Sequence, residues 1–222
     1  MTMGLSRVAV LGLLVACGPD DLTPSSESGG GAGESFETPY EVQRVRLEQT
    51  DNSEIAPSLS LACSDANGTN ENSWYRIFRL EDFGVDNAFT VHRVNFGVQT
   101  AIGKQRVKVS IGTYAGASGS VELDTTKIDL LGLTTINVPE GKAFMAQAAF
   151  PGIEIPAGSN LVVEIKTEGV GDGSYFYLGA TTSTEMVPGY LRAPTCKTPS
   201  PVMTSALGYL GTHLVIAVSG SH

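Results

Sequence analysis

Apolar and polar residues alternate with a period of 2 in several short runs, the pattern of strands that bury one face. In 106–111, Val107, Val109 and Ile111 share one parity while Arg106, Lys108 and Ser110 take the other. In 161–166, Leu161, Val163 and Ile165 oppose Val162, Glu164 and Lys166. Similar runs predict strands over 42–47, 75–80, 128–138, 175–178 and 213–218. Turn signals separate them at Asn67-Gly68, 116–119, Pro139-Glu140-Gly141, Pro156-Ala157-Gly158 and Gly171-Asp172-Gly173. The run 89–98 changes phase, because Phe89 and Val91 share one parity and Val94, Phe96 and Val98 the other. One extra residue near His92-Arg93 restores a single apolar face, which predicts a β-bulge there. The stretch 143–150 has helix-favouring Ala, Met and Gln, yet Phe144 and Phe150 share a strand parity, and it is read as strand. With no sustained helical period elsewhere, the fold class is all-β: an antiparallel β-sandwich of jelly-roll type.

The amino terminus carries a different pattern. Residues 1–16 hold a single charge, Arg7, then an apolar run from Val8 to Val15 and a small Ala16, the layout of an export signal. It falls short of the roughly 20 apolar residues that span a bilayer. The tetrapeptide Leu14-Val15-Ala16-Cys17 resembles the lipobox of bacterial lipoproteins. That resemblance implies cleavage before Cys17, lipidation of its thiol and acylation of the new amine. Since each buried methylene contributes about 0.8 kcal/mol and two or more chains anchor stably, a lipidated Cys17 holds the protein at a membrane. Gly18 stands where Asp retains enteric lipoproteins at the inner membrane, which implies the outer membrane in an organism that has one. The organisation predicted is a signal at 1–16, a lipidated cysteine and flexible leash at 17–38, and one β-sandwich domain at 39–222. The leash is rich in Gly, Ser, Pro, Asp and Glu, and as a flexible coil it reaches about 25 Å.

Acidic residues outnumber basic ones, 23 to 14, for a net charge of −9. Such an excess disfavours nucleic acid as a partner and repels anionic headgroups, so membrane contact is expected through lipid rather than through a basic patch. With Cys17 committed to lipid, Cys63 and Cys196 remain. In an oxidising compartment the two are expected to form a structural disulfide.

The segments Asn72-Ser73-Trp74-Tyr75-Arg76-Ile77-Phe78-Arg79-Leu80, Phe83-Gly84-Val85, Phe89-Thr90-Val91 and Val94-Asn95-Phe96-Gly97-Val98 resemble a β-sandwich module of secreted bacterial proteins that is often appended to proteases. The likeness continues through Pro156-Ala157-Gly158-Ser159-Asn160-Leu161, Pro188-Gly189-Tyr190-Leu191-Arg192-Ala193-Pro194 with Cys196, and His213-Leu214-Val215-Ile216. The resemblance implies a non-catalytic, accessory domain without an agreed ligand. No protease domain precedes it in this sequence, and a lipid anchor takes that place.

Candidate chemistry is sparse. The chain has three histidines, His92, His213 and His222, and no Gly-x-Ser-x-Gly elbow, so a Ser-His-Asp triad has no foundation here. No HExxH motif or close His/Cys pair supports zinc. Calcium takes six to eight oxygen ligands, and the loop containing Asp65, Asn67, Asn70 and Glu71 is the candidate structural calcium site, although Asn67-Gly68 equally reads as a plain turn. Among the aromatics, Tyr175 and Tyr177 share a parity opposite Phe176 and Leu178 and form the candidate carbohydrate-stacking platform. The reading is a lipid-anchored cell-envelope protein with a non-catalytic module for binding or adhesion. Its alternatives are a structural accessory docking on another exported envelope protein, such as a protease, and a glycan-active hydrolase using two of the scattered carboxylates.

Overall fold

The computed structural model describes residues 42–169 and 173–222. The export signal, Cys17, the leash and the Gly171-Asp172 turn lie outside the described residues. Fifteen strands follow in chain order: β1 Arg44–Glu48, β2 Ser60–Leu61, β3 Ser64–Asp65, β4 Gly68–Thr69, β5 Asn72–Arg79, β6 Phe89–Ile102, β7 Gln105–Tyr114 and β8 Ile128–Val138; then β9 Gly141–Ile155, β10 Asn160–Thr167, β11 Tyr175–Thr181, β12 Tyr190–Ala193, β13 Thr198–Met203, β14 His213–Leu214 and β15 Ile216–Ser221. All pairings are antiparallel.

Two sheets stack face to face. The first runs β2-β11-β6-β9, and the second runs β5-β10-β7-β8. The connections β5–β6, β6–β7, β8–β9, β9–β10 and β10–β11 each carry the chain from one sheet to the other, which makes this order the jelly roll the alternating pattern predicts. β9 occupies one edge of β6, while β15 and β11 share the opposite edge, pairing with 90–96 and 98–102 respectively. β1 extends the first sheet beyond β15, and β12 and β13 extend the second beyond β5.

Parity decides what is buried. Val107, Val109 and Ile111 of β7 and Leu161, Val163 and Ile165 of β10 enter the main core with Trp74, Phe78, Phe89, Phe96 and Phe176. Fully burying each such side chain contributes about 1.5–3 kcal/mol. Trp74 and Phe96 meet Phe176 edge-on, with centroids 5.8 and 6.4 Å away, the arrangement aromatic quadrupoles favour. The Trp74 indole N–H donates to the Leu61 carbonyl at 2.6 Å, pinning the short β2 across the core.

The phase change in β6 is a bulge. Its register against β9 shifts between Val91 and Arg93, and β15 shifts opposite, between Ser219 and Gly220. Val91 and Val94 are both 0% exposed, so the inserted residue sends His92 and Arg93 together to the outer face. Only glycine fits at 220, where a Cβ would stand 2.3 Å from the Thr90 carbonyl oxygen. The stretch 143–150 is strand, inside β9. The run 213–218 is split at Val215, whose N–H bonds Gly179 O and whose carbonyl accepts from Gly97, as the chain passes from β11 to β6.

β5 departs from simple alternation, with both of its faces buried. Its outward Tyr75 and Ile77 form a second cluster with Tyr114, Leu123, Val162 and Tyr190, because β12, β13 and the loop after β7 cover them. Arg76 points inward between Trp74 and Phe78 and is 0% exposed. Its guanidinium donates to Glu185 Oε2 at 2.6 Å, to the Val187 carbonyl at 2.6 Å and to the Leu214 carbonyl. His213 Nδ1 lies 2.6 Å from the other Glu185 oxygen. A buried charge needs such pairing, since an unpartnered one is strongly destabilising; the Arg76 Nε alone of its nitrogens is left without a hydrogen bond.

Cys63 and Cys196 are disulfide-bonded, with Cα atoms 5.9 Å apart across a sequence separation of 133. Buried Asn72 positions Cys63 by accepting its N–H at 2.7 Å and donating to its carbonyl at 3.0 Å. The Cys63→Ser/Cys196→Ser variant is expected to lose about 2–5 kcal/mol, lowering the melting midpoint by about 5–15 °C in calorimetry. Adding reductant should then shift the parent chain toward the variant and leave the variant unmoved.

Candidate functional site

Tyr175 and Tyr177 project from the outer face of β11, with rings 6.0 Å apart and inclined at 53°. The β3–β4 hairpin occupies their polar ends. Tyr175 Oη donates to the carbonyls of Asp65 and Ala66 at 3.1 and 3.2 Å, and Tyr177 Oη lies 3.2 Å from Ser64 Oγ. Both rings are half-buried. The pair therefore anchors the hairpin and offers a sugar its ring faces rather than its hydroxyls.

Within that hairpin the Asp65 carboxylate accepts the Asn67 N–H at 2.7 Å and the Asn70 amide at 3.4 Å, an Asx turn followed by Gly68 at φ 129°. Asn67 thus presents a donor to Asp65. Glu71 is held elsewhere, accepting from Arg192 at 2.5 Å and pairing with Lys166 at 3.2 Å. Among the described residues no group of three or more His, Cys, Asp or Glu gathers as a metal site would. His92 Nε2 lies 2.9 Å from Ser221 Oγ, and His213 is engaged by Glu185.

A more elaborate surface lies on the outer face of the second sheet, built by the parity opposite to the core. Direct cross-strand register aligns Tyr190, Tyr75, Glu164, Ser110 and Leu133 in one row over β12, β5, β10, β7 and β8. The row above aligns Arg192, Ser73, Lys166, Lys108 and Thr135. The row below aligns Ile77, Val162, Gly112 and Leu130. Neighbouring strands are about 4.8 Å apart; Glu164, Ser110, Lys166, Lys108 and Leu133 reach the surface at that spacing, whereas Tyr190, Tyr75, Ser73, Ile77 and Val162 are buried.

The centre of this face is Glu164. Its carboxylate accepts the Tyr75 hydroxyl at 2.7 Å and the Ser110 hydroxyl at 3.4 Å. Burial and the Glu164 charge push the Tyr75 phenol well above its ordinary range, so it stays a hydrogen-bond donor. Lys166, Arg192 and Glu71 form one charged network, and Lys108 pairs with Glu168. Glu71 sits below the usual carboxylate range, chiefly through the Arg192 hydrogen bond, with Lys166 adding to it. A depression of about 40 Å³ lies beside Tyr75, Gly112, Val162, Leu130 and Glu164. Leu130, 57% exposed, forms its apolar rim, and Leu133, equally exposed, lies opposite Ser110. A carboxylate, ammonium groups and hydroxyls beside apolar steps match the alternating hydroxyl and C–H surfaces of a saccharide.

The outward parity of Lys108, Ser110, Glu164 and Lys166 is legible in the sequence, because it is the complement of the core parity. Their assembly into rows is not, since that depends on which strands pair. Tyr75 belongs to the aromatic pool of the sequence without a signal to single it out.

No family model matches the chain, and no curated protein is similar to it in sequence. Among solved structures, the cysteine protease and lectin-like domains of Cwp84, a surface layer associated protein of Clostridium difficile, are similar to it at 11% identity and a TM-score of 0.47. The match covers 69% of this chain and 32% of that one, so the chain spans about a third of the length of that protein. Nothing about ligand or activity passes to this chain at that level of likeness.

The low-lying Glu71 carboxyl gives a pH prediction. A folded pKa depressed below the unfolded value of about 4.3 contributes stability that is present above that pH and lost as pH falls through the folded value. Glu71→Gln should therefore melt lower than the parent at neutral pH, with the difference closing in the acid range below about pH 4. Because the group is partly exposed, the difference should also shrink with added salt.

Proposed function

We propose that this chain is a lipid-anchored cell-envelope protein whose jelly-roll domain is a non-catalytic carbohydrate-binding module, acting through the outer face of its second sheet. The observation that carries the binding role is the row Tyr75, Glu164 and Ser110, with Lys108 and Lys166 above it and the Gly112 depression below. The lipobox at Leu14–Cys17 supports the anchor, which is independent of the binding face. Among the described residues no helix is long and apolar enough to cross a membrane.

Glu164 is the residue on which recognition turns. In a binding role it accepts sugar hydroxyls while Tyr75 and Ser110 fix its orientation. Hydrolysis needs a pair of carboxylates flanking the scissile bond. Here Glu164 is committed to two hydroxyls and Glu71 to two cations, which favours recognition over turnover. A second reading, docking on another envelope protein, is favoured by Leu130, Leu131 and Leu133 lying exposed on β8, an edge strand of the second sheet. Exposed apolar groups on an unpaired edge are the makings of a protein contact.

A glycan array separates the two readings. The parent chain is expected to bind a subset of saccharides, and Glu164→Ala to bind those at least about tenfold more weakly through loss of charge-assisted hydrogen bonds. Tyr177→Phe should bind as the parent does. Array binding that survives Glu164→Ala, or an array on which the parent chain binds no saccharide, would contradict the assignment of the face. Release of reducing ends from bound polysaccharide would contradict the non-catalytic reading.

A further inference from the structure

The bulge in β6 has a second consequence, on the outer face of the other sheet. A groove of about 620 Å³ is lined by Arg44 and Arg46 of β1, His92 and Arg93 of β6, and Ser219 and Ser221 of β15. Arg44 lies directly opposite Ser221, Arg46 opposite Ser219, and Ser219 opposite Arg93. All three arginines and His92 are exposed. Without the inserted residue, His92 and Arg93 would take opposite faces; the bulge turns both into the groove, a re-aiming for which bulges are well suited.

This concentration of positive charge stands in a chain whose net charge is −9. Glu48 pairs with Arg46 at 2.9 Å, and Glu154 lies across β6 beside Thr90. Arg44 and Arg93 have no ion pair with the described residues. Arg46 also donates to Ser53 Oγ at 2.7 Å, so Arg44 and Arg93 are the guanidiniums left to a bound anion. Guanidinium groups bind oxyanions through paired N–H donors. The Ser219 and Ser221 hydroxyls and the His92 ring, 2.9 Å from Ser221 Oγ, add further hydrogen-bonding groups on the groove floor.

The geometry points to a phosphate-binding site in this groove, formed by Arg44, Arg93 and Arg46 with His92, Ser219 and Ser221. Guanidiniums arriving from two strands on either side of β15 suit a tetrahedral dianion better than a planar monoanion. The phosphate is carried either by a lipid headgroup or by a soluble phosphorylated compound. The site is independent of the carbohydrate face on the second sheet, and either can fail without the other.

The test uses the full chain carrying Cys17→Ser, which cannot be lipidated, so that membrane capture reports the groove alone. Calorimetric titration with inorganic phosphate is expected to show one site and a raised melting midpoint. Arg44→Ser and Arg93→Ser should each weaken binding about tenfold or more. Arg44 sits on the edge strand, so that variant keeps the test open should Arg93→Ser fold poorly. Flotation with phosphatidylcholine vesicles containing phosphatidate, abolished by Arg44→Ser and by free phosphate, assigns the headgroup; phosphate binding without flotation assigns the soluble source. Absence of phosphate binding, equal binding of acetate, or binding unchanged in both arginine variants would overturn the proposal.

Discussion

Contact between the inner faces of the two sheets is the constraint on which the rest of the molecule depends. In a strand, successive side chains point to opposite faces, so committing Val107, Val109 and Ile111 to the core commits Lys108 and Ser110 to the outside. The same choice in β10 sends Glu164 and Lys166 outward beside them. A one-residue slip would exchange core and surface throughout a strand, and the rows of the outer face would vanish with the packing. The outer face is thus the complement of the core, fixed by the same register.

Two devices secure that packing where alternation alone does not. The disulfide from Cys63 to Cys196 joins the hairpin region to the end of the β12 extension. Arg76 replaces apolar packing at the centre of β5 with bonds to Glu185 and to two carbonyls, tying the second sheet to segments beside the first. Desolvation works against the charged form of Arg76, and Glu185 offsets part of it. The fold therefore places an ion paired through both terminal guanidinium nitrogens where a mispaired alternative would be heavily penalised.

Much of this was legible in the residues because it rests on local parity. The strand at 128–138, the all-β class, the bulge at His92-Arg93 and the pairing of the two cysteines all follow from alternation, phase or count. What parity cannot carry is the choice of partner. Glu71 reads as a cation ligand beside Asp65, yet it meets Arg192 across a separation of 121 residues. Tyr175 and Tyr177 read correctly as outward, but the hairpin that takes their hydroxyls is fixed by long-range contact. Burial of both β5 faces is hidden for the same reason, since the covering cluster comes from β12 and the loop after β7.

Two outer faces of opposite character result, one mixed and hydroxyl-rich around Glu164, the other arginine-lined around the β6 bulge. The central claim is that the Glu164 face recognises saccharide. The most direct measurement is amide chemical-shift mapping by NMR during titration with a saccharide that the protein retains. The account predicts that the largest shifts fall at Tyr75, 108–112 and 162–166, with β11 and the β3–β4 hairpin unmoved. Shifts centred on Tyr175 and Tyr177, with the Glu164 rows silent, would contradict it.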